Sequence, residues 1–198
     1  MIRPSILAAL LAGIAALPAQ AEKADREKPI TLEAARVSVD DVKKVQVYEG
    51  SVVLTQGTLV IRADRIVVTQ DDDGFQKGVA TGGAGGLARF RQKREGKDEF
   101  IDGEGERIEH DARTEKTEFF VRAWVKSGND EVKGNYVSYD SLTEKYYVTS
   151  GLAADGRTPA IAEGGRVRAI IQSKKAPAEP PKGDPLTLKP SPTIPRKE

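Results

Sequence analysis

The chain has 198 residues and an almost neutral charge, with 31 Lys and Arg residues against 30 Asp and Glu residues. This balance does not favour nucleic acid or a generic anionic membrane surface as a partner. The sequence contains no cysteine, which excludes disulfides, thiolate metal sites and cysteine nucleophiles.

Residues 1–21 have the three parts of a secretory signal peptide. Arg3 provides a positive n-region, Ile6 to Leu17 form an apolar h-region, and Ala19 and Ala21 are small residues at the cleavage site. The apolar run is shorter than the roughly 20 residues that span a bilayer. The residue after the predicted cut is Glu22 and not cysteine, so lipid attachment there is excluded. We expect a soluble mature chain that is exported without an anchor.

Short β-branched runs separated by turn residues follow from residue 30 onward. Their regular spacing predicts an all-β domain over residues 22–172, with about sixteen antiparallel strands and almost no helix. The predicted strands are 30–33, 36–40, 44–49, 51–55, 58–62, 65–70, 77–81, 87–93, 98–102, 106–111, 117–121, 123–126, 130–133, 136–140, 145–149 and 166–172.

The layout of the segment from Val45 to Thr69 is repeated 71 residues later, without a gap, between Val121 and Asp140. A repeat of strand units predicts one continuous stack of strands and not an enzyme with a pocket. The matched pairs are Val53/Trp124, Leu54/Val125, Gly57/Gly128, Ile61/Val132, Arg62/Lys133, Asp64/Asn135, Ile66/Val137 and Val68/Tyr139.

Three strand ends share a second, shorter pattern. The runs 36–40, 107–111 and 136–140 each carry two apolar or aromatic residues two positions apart and close with an Asp, which suits the start of a turn.

Gly82 to Gly86 predict a bent link between strands. Residues 173–198 contain seven prolines, which predict an extended, disordered tail.

The polar residues suggest no catalytic, metal or cofactor site. His110 is the only histidine, and its apolar strand position predicts a wall residue of the core. Asp71 to Gly74 lack the ligand spacing of a calcium loop and predict an acidic turn. The arginines around Phe90 are expected to be solvated on an outer face. A carbohydrate hydrolase would need a close carboxylate pair, which the sequence does not indicate.

Alternation places one set of apolar residues on a single shared face. An ordinary dry core and a lipid-lined groove between two sheets require the same pattern, so both interpretations stay open at this point, and a dry core would suit a purely structural module. The residues of this face are Ile30, Leu32, Val37, Val39, Val52, Leu54, Leu59, Ile61, Ile66, Val68, Phe90, Ile108, His110, Ala123, Val125, Val132, Val137 and Tyr139.

The chain resembles the OstA-like family of lipopolysaccharide transport proteins over roughly residues 29–172. The most specific stretch runs from Gly50 to Thr69 and includes the letters TQGTL, and shorter matches follow in the same order and spacing. Those matches are Ala88–Arg89–Phe90, Ile101–Asp102–Gly103, Ile108–Glu109–His110 and Val132–Lys133–Gly134–Asn135. Two residues depart from the family pattern, since Val121 replaces a usual Gly and Leu87 a common Pro.

This resemblance implies a non-enzymatic protein with a twisted, open, V-shaped β-jelly roll that holds lipopolysaccharide acyl chains in the periplasm. It implies an inner-membrane bitopic transport component and the periplasmic domain of the outer-membrane translocon as partners. Copies are expected to associate head to tail through exposed first and last strands. Family lipid contacts fall on Ile30, Leu32, Phe90, His110 and Ala112. The predicted lipid-binding residues are all the residues of the shared face listed above except Ala123 and Val132. Ala112 is added to them because it matches a family lipid contact.

Overall fold

The computed structural model describes Asp25 and residues 28–71, 74–94 and 96–171. The predicted signal peptide and Pro-rich tail lie outside these residues, as do Asp72 and Asp73 of the predicted acidic turn. The described strands are β1 Thr31–Glu33, β2 Arg36–Asp40, β3 Val45–Gln56, β4 Leu59–Asp71, β5 Gly74–Thr81, β6 Ala88–Lys93, β7 Phe100–Gly105, β8 Arg107–Asp111, β9 Lys116–Ser127, β10 Asp130–Asp140, β11 Lys145–Thr149, β12 Gly151–Leu152, β13 Pro159–Ala160 and β14 Arg168–Ile170. Ala84–Gly86 form a 3-10 turn.

The all-β prediction is confirmed, but the strand count is corrected from sixteen to fourteen in the described residues. Each of the four long strands β3, β4, β9 and β10 spans two neighbouring predicted strands. The sequence signals between the two halves mark a bend within one strand and not the end of a strand, because pairing with the neighbouring strand continues on both sides of the bend. The two-residue strands β12 and β13 were not predicted because they are too short to show alternation.

Twelve of the strands form one antiparallel sheet that folds over on itself into two layers. Layer one has the order β2-β3-β4-β5-β8-β9-β10-β11, and layer two has the order β1-β3-β4-β6-β7-β9-β10-β14. The four long strands cross from one layer to the other. This arrangement creates an inner face between the layers and two outer faces.

The line along which the layers join, here called the crease, passes through bends in the long strands. Strand β3 bends at Gly50 and Ser51, whose φ angles are 87° and 50°, and β9 bends at Val121 and Arg122, whose φ angles are 58° and 53°. The ladder registers shift beside these bends. Backbone bonds such as Glu106 N–H to Val121 O, at 3.1 Å, hold the crease.

The predicted repeat is confirmed in the strand registers. Leu54 pairs with Ile61 in the β3–β4 hairpin, and Val125 pairs with Val132 in the β9–β10 hairpin. Both partners of the first pair lie 71 positions before those of the second. The two bends also match, because Gly50 and Val121 differ by the same 71 positions.

Each strand segment runs from the crease to a turn at the far edge of its layer, here called the rim. The predicted Asp turns lie at the rim of layer one. Asp40 Oδ1 accepts the Lys43 N–H at 2.9 Å, and Asp140 Oδ1 accepts the Thr143 N–H at 2.9 Å. Asp111 Oδ1 accepts the Thr114 N–H at 3.0 Å in the same way. The turn prediction is therefore confirmed at all three strand ends.

The Gly82–Gly86 segment forms the bent link that the sequence predicts. Gly82, Gly83, Gly85 and Gly86 all have positive φ angles. The carboxylate of Asp64 accepts the Gly83 N–H at 2.8 Å, and a Cβ added at Gly83 would lie 2.4 Å from the Leu87 carbonyl oxygen. Only glycine fits this close approach, which carries the chain from β5 in layer one to β6 in layer two.

The last part of the described chain covers the outer face of layer one. Residues 150–165, which include the β12–β13 hairpin, lie over a small aromatic cluster of Phe120 and Tyr136. The Arg107 guanidinium stacks 3.9 Å above the Phe120 ring and donates to Gly156 O at 2.9 Å. Phe120 is thereby buried although it points away from the inner face.

No helix in the described residues is long and apolar enough to cross a membrane.

Candidate functional site

Cross-strand pairing sets the inner face out in continuous apolar rows. One row of layer one consists of Val37, Tyr48, Ile66, Ala80, Ile108, Phe119, Val137 and Val148. The facing row of layer two consists of Leu32, Leu54, Ile61, Phe90, Gly103, Val125, Val132 and Ala169. Each row thus reaches from the first strand of its layer to the last.

Most of the predicted lipid-binding residues are buried between the two layers. Except for His110, they contact one another in a single apolar cluster that brings together positions from β3 to β10, and at most 3% of each residue, His110 included, is exposed. The buried members are Val52, Leu54, Leu59, Ile61, Ile66, Val68, Phe90, Ile108, His110, Val125, Val137 and Tyr139. Ile30 and Leu32 pack against this cluster and are half-buried. Ala112 is half-buried in the turn after β8.

Val37 and Val39 lie on the inner face but are not buried. Their residues are 53% and 56% exposed. Val37 pairs with Tyr48 and Val39 pairs with Gln46, so parity assigns both valines to the correct face. They are exposed because β2 is the edge strand of layer one. In the described residues β2 pairs only with β3, and the opposite layer does not cover it.

The rows are also uncovered at their other end. Tyr146 belongs to edge strand β11, where it pairs with the buried Tyr139, and is 37% exposed. Ala169 is exposed on edge strand β14. The inner face is therefore closed in the middle and accessible at both ends.

The centre of the inner face is packed tightly by Phe90 and Phe119. Their rings meet edge to face with centroids 5.6 Å apart. The Phe119 ring lies where a side chain at position 103 would be, because a Cβ added to Gly103 would be 2.3 Å from it. Sequence reasoning missed Phe119, since two successive aromatic residues at 119 and 120 hide which of them faces inward.

His110 is a wall residue of the core, as the sequence predicts. It is 3% exposed, and its Nδ1 lies 3.0 Å from the Thr117 hydroxyl oxygen. Burial lowers the pKa of its imidazole to about 4, although nearby Asp111 opposes this shift. The side chain is therefore neutral at pH 7 and fits an apolar wall.

Arg89 and Arg91 lie on the outer face of layer two, as expected for the basic cluster around Phe90, whereas Arg94 of that cluster lies at the rim with its side chain only 17% exposed. Arg89 pairs with Glu104 and Arg91 pairs with Asp102, each at 2.8 Å. A shallow depression of about 300 Å³ lies between them, and Trp124 forms part of its wall. Among the described residues, no group of three or more His, Asp or Glu side chains is placed to hold a metal ion.

Comparison with known proteins adds an independent finding. Residues 31–145 match the family model described as LptA/(LptD N-terminal domain) LPS transport protein. The chain belongs to this family. The resemblance predicted from the sequence is thereby confirmed, and the family is one of transport bridge proteins and not of enzymes.

Several members of the LptA/LptD N-terminal domain family are similar to the chain in sequence. The lipopolysaccharide export system protein LptA of Escherichia coli K12 is 30% identical over 126 residues, which are 63% of this chain and 66% of that protein. The export system protein LptH of Pseudomonas aeruginosa is 27% identical over 166 residues, or 84% of this chain and 91% of that protein.

A solved structure confirms the fold expected for this LptA-like chain. It is the crystal structure of LptH, described as the LptA homologous periplasmic component of the lipopolysaccharide transport device from Pseudomonas aeruginosa. The TM-score is 0.66 at 24% identity, and the match covers 75% of this chain and 98% of the other. The chain thus has the jelly-roll-like architecture of LptH.

Proposed function

We propose that this protein is a periplasmic carrier that binds the acyl chains of lipopolysaccharide on its inner face and passes the lipid toward the outer membrane. The proposal is supported by family membership and by one structural observation above all. On the inner face, the apolar row of layer one runs from the exposed Val37 on the β2 edge to the half-buried Val148 on β11, and the row of layer two runs from Leu32 on β1 to the exposed Ala169 on β14.

The energetics favour such a continuous face for moving a lipid. Burial of one CH₂ group contributes about 0.8 kcal/mol, so an acyl chain of about a dozen carbons would lose on the order of 10 kcal/mol on entering water. A protein face that stays apolar from edge to edge removes this barrier. The same face carries four of the five lipid contacts that the resemblance implies, Ile30, Leu32, Phe90 and His110, and the fifth, Ala112, lies in the turn after β8.

Photo-crosslinking tests the proposal directly. A photoreactive residue at Phe90 or Val137, which are buried on the inner face, is expected to form adducts with purified lipopolysaccharide. Val67 and Trp124 are the matched controls, because each is only half-buried and neighbours inner-face residues in its own strand while pointing to the other side. Adducts at all four positions, or at none, would contradict lipid binding on the inner face.

The alternative is a structural scaffold with a dry core that links envelope proteins through its edge strands. It is favoured by the direct contact among the buried side chains, such as Phe90 with Phe119. In that case the crosslinkers at Phe90 and Val137 would react only within the chain. The same experiment therefore separates the two functions.

The edge strands suit the expected protein partners. Within the described residues, β1 and β2 each pair on one side only, and so do β11 and β14. Their free N–H and C=O groups are available for strand addition. We assign these edges to head-to-tail self-association, to the inner-membrane bitopic component and to the periplasmic domain of the outer-membrane translocon.

A further inference from the structure

A cluster of ion pairs connects the rims of the two layers on the side opposite the crease. Arg94 follows β6 and lies at the rim of layer two, whereas Glu144 lies in the β10–β11 turn at the rim of layer one. The Arg94 guanidinium donates to both Glu144 oxygens, with Nη2–Oε2 at 2.8 Å and Nε–Oε1 at 3.2 Å. Lys97 Nζ reaches Glu144 Oε2 at 3.3 Å.

The geometry of this cluster makes it stronger than an ordinary surface ion pair. A bidentate Arg–carboxylate contact is directional as well as charged. The Arg94 side chain is only 17% exposed, and that of Glu144 is 34% exposed. Glu99 also holds the guanidinium, with Arg94 Nη1–Glu99 Oε2 at 2.9 Å, and the Arg94 N–H donates to Glu99 O at 2.9 Å. The hydrogen bonds that Arg94 donates to Glu144 lower the pKa of the Glu144 carboxyl group, so both members of the pair are charged at pH 7.

The cluster lies beside the end of the inner face. Its charges act on the buried Tyr139, a predicted lipid contact, which stacks on Tyr146 with ring centroids 4.8 Å apart. Tyr146 of β11 also interacts with Ser127, which lies at the rim end of β9 in layer two. Separation of the rims at this point would uncover this end of the inner face.

An acyl chain needs such a separation. The predicted lipid contacts in the middle of the inner face are at most 3% exposed and fill the space between the layers. The crease joins the layers covalently through the four long strands, so it cannot separate. At the rim, the contacts between layers that the described residues make come from side chains, namely those of Arg94 and Lys97 with Glu144.

We infer that Arg94, Glu144 and Lys97 form a latch that holds the two rims together and that its opening admits lipopolysaccharide acyl chains laterally onto the inner face. This inference rests on the proposed function. The latch holds the empty protein closed, and lipid entry replaces its ion pairs with apolar contacts on Tyr139 and its neighbours.

Distance measurement between spin labels tests the latch without lipid. Because the chain has no cysteine, two introduced cysteines can be labelled specifically. Asp98→Cys places a label on the rim of layer two, where the Asp98 side chain is 97% exposed. Leu142→Cys places a label on the rim of layer one, where Leu142 is 50% exposed. In this background we expect Glu144→Gln to shift the label distances to longer values. The matched control is Glu99→Gln, which also removes a carboxylate from Arg94 but leaves the contact between layers intact.

Lipid entry is measured in the same proteins by the rate at which purified lipid A forms adducts with a photoreactive residue at Phe90. Loss of a partly buried ion pair is expected to accelerate entry about fivefold in Glu144→Gln, and Glu99→Gln should match the wild type. Equal distances and rates in all three proteins, or equal changes in both variants, would overturn the latch.

A cross-linked protein covers the case in which Glu144→Gln does not fold. A short bismaleimide between the two introduced thiols, in the Asp98→Cys, Leu142→Cys chain with native Glu144, ties the rims together and should suppress entry. Undiminished entry would overturn the latch. Failure of the proposed function has a different signature, because lipid A then forms no adduct at Phe90 in any protein while the label distances still report on the latch.

Discussion

The environment of His110 shows how one residue is adapted to an apolar wall. Its only hydrogen-bond partner among the contacts of the described residues is the Thr117 hydroxyl, at 3.0 Å. Thr117 is itself 1% exposed, so the two polar groups satisfy each other inside the core. Protonation of the imidazole would place a charge inside the core, where the half-buried Asp111 offsets only part of the desolvation cost.

Stability is therefore expected to fall in acid through His110. Its pKa is lowered to about 4 in the folded protein, against about 6.5 when unfolded. A depressed pKa contributes stability that is present above pH 6.5 and is lost as the pH falls through 4. The loss is on the order of 3 kcal/mol. Urea unfolding at several pH values measures it, with His110→Gln as the control that lacks this slope. Equal slopes for the two proteins would contradict the assignment.

At the scale of the element, the long strands owe their shape to residues with positive φ at the crease. The first repeat uses Gly50, which adopts φ 87° without a side-chain clash, whereas the second uses Val121 at φ 58°. A β-branched residue in this region is strained. Val121, the departure from the family pattern, therefore costs stability without changing the bend.

Replacement Val121→Gly should stabilise the protein by about 1 kcal/mol. Relief of the left-handed strain outweighs the greater freedom of glycine in the unfolded chain. The reverse change in the other repeat, Gly50→Val, should destabilise it, because its φ is strained and its Cβ would lie 2.8 Å from the Ala35 Cβ. Chemical denaturation of both variants provides the measurement. A loss of stability in Val121→Gly would show that the valine side chain contributes more than the strain costs.

At the scale of the whole molecule, the sheet is folded over but not closed into a ring. Layer one ends at β2 and β11, and layer two ends at β1 and β14, each with one unpaired side in the described chain. Two different edges that add to each other make a heterologous contact, which produces linear chains of subunits. The uncovered residues Val37 and Ala169 would then continue the inner face from one copy to the next.

Self-association through these edges should depend on β14. We expect the apparent mass in size-exclusion chromatography to rise with protein concentration for a chain that ends at residue 172. A chain that ends at residue 165 should remain monomeric, because it lacks the edge strand Arg168–Ile170. The chain that ends at residue 172 controls for loss of the tail. A monomer at every concentration in both proteins would count against head-to-tail assembly.

Much of the fold follows from local sequence pattern. Alternation along a strand assigns each side chain to a face, and so the sequence places Val52, Ile66 and Val137 on the inner face without knowledge of the strand pairing. The Asp turns and the 71-residue repeat are also local patterns. The latch could not be predicted in this way, because Arg94 and Glu144 are 50 positions apart and belong to different rims.

The sequence by itself determined the fold class, the family and the direction in which most strand side chains point, since each depends on residues close together in the chain. Only the tertiary structure decided which of those side chains are covered. Val37 and Val68 both lie on the inner face, yet Val37 is 53% exposed and Val68 is 2% exposed. Burial depends on whether the opposite layer lies over a residue, and that is set by the pairing of distant strands and the position of the crease.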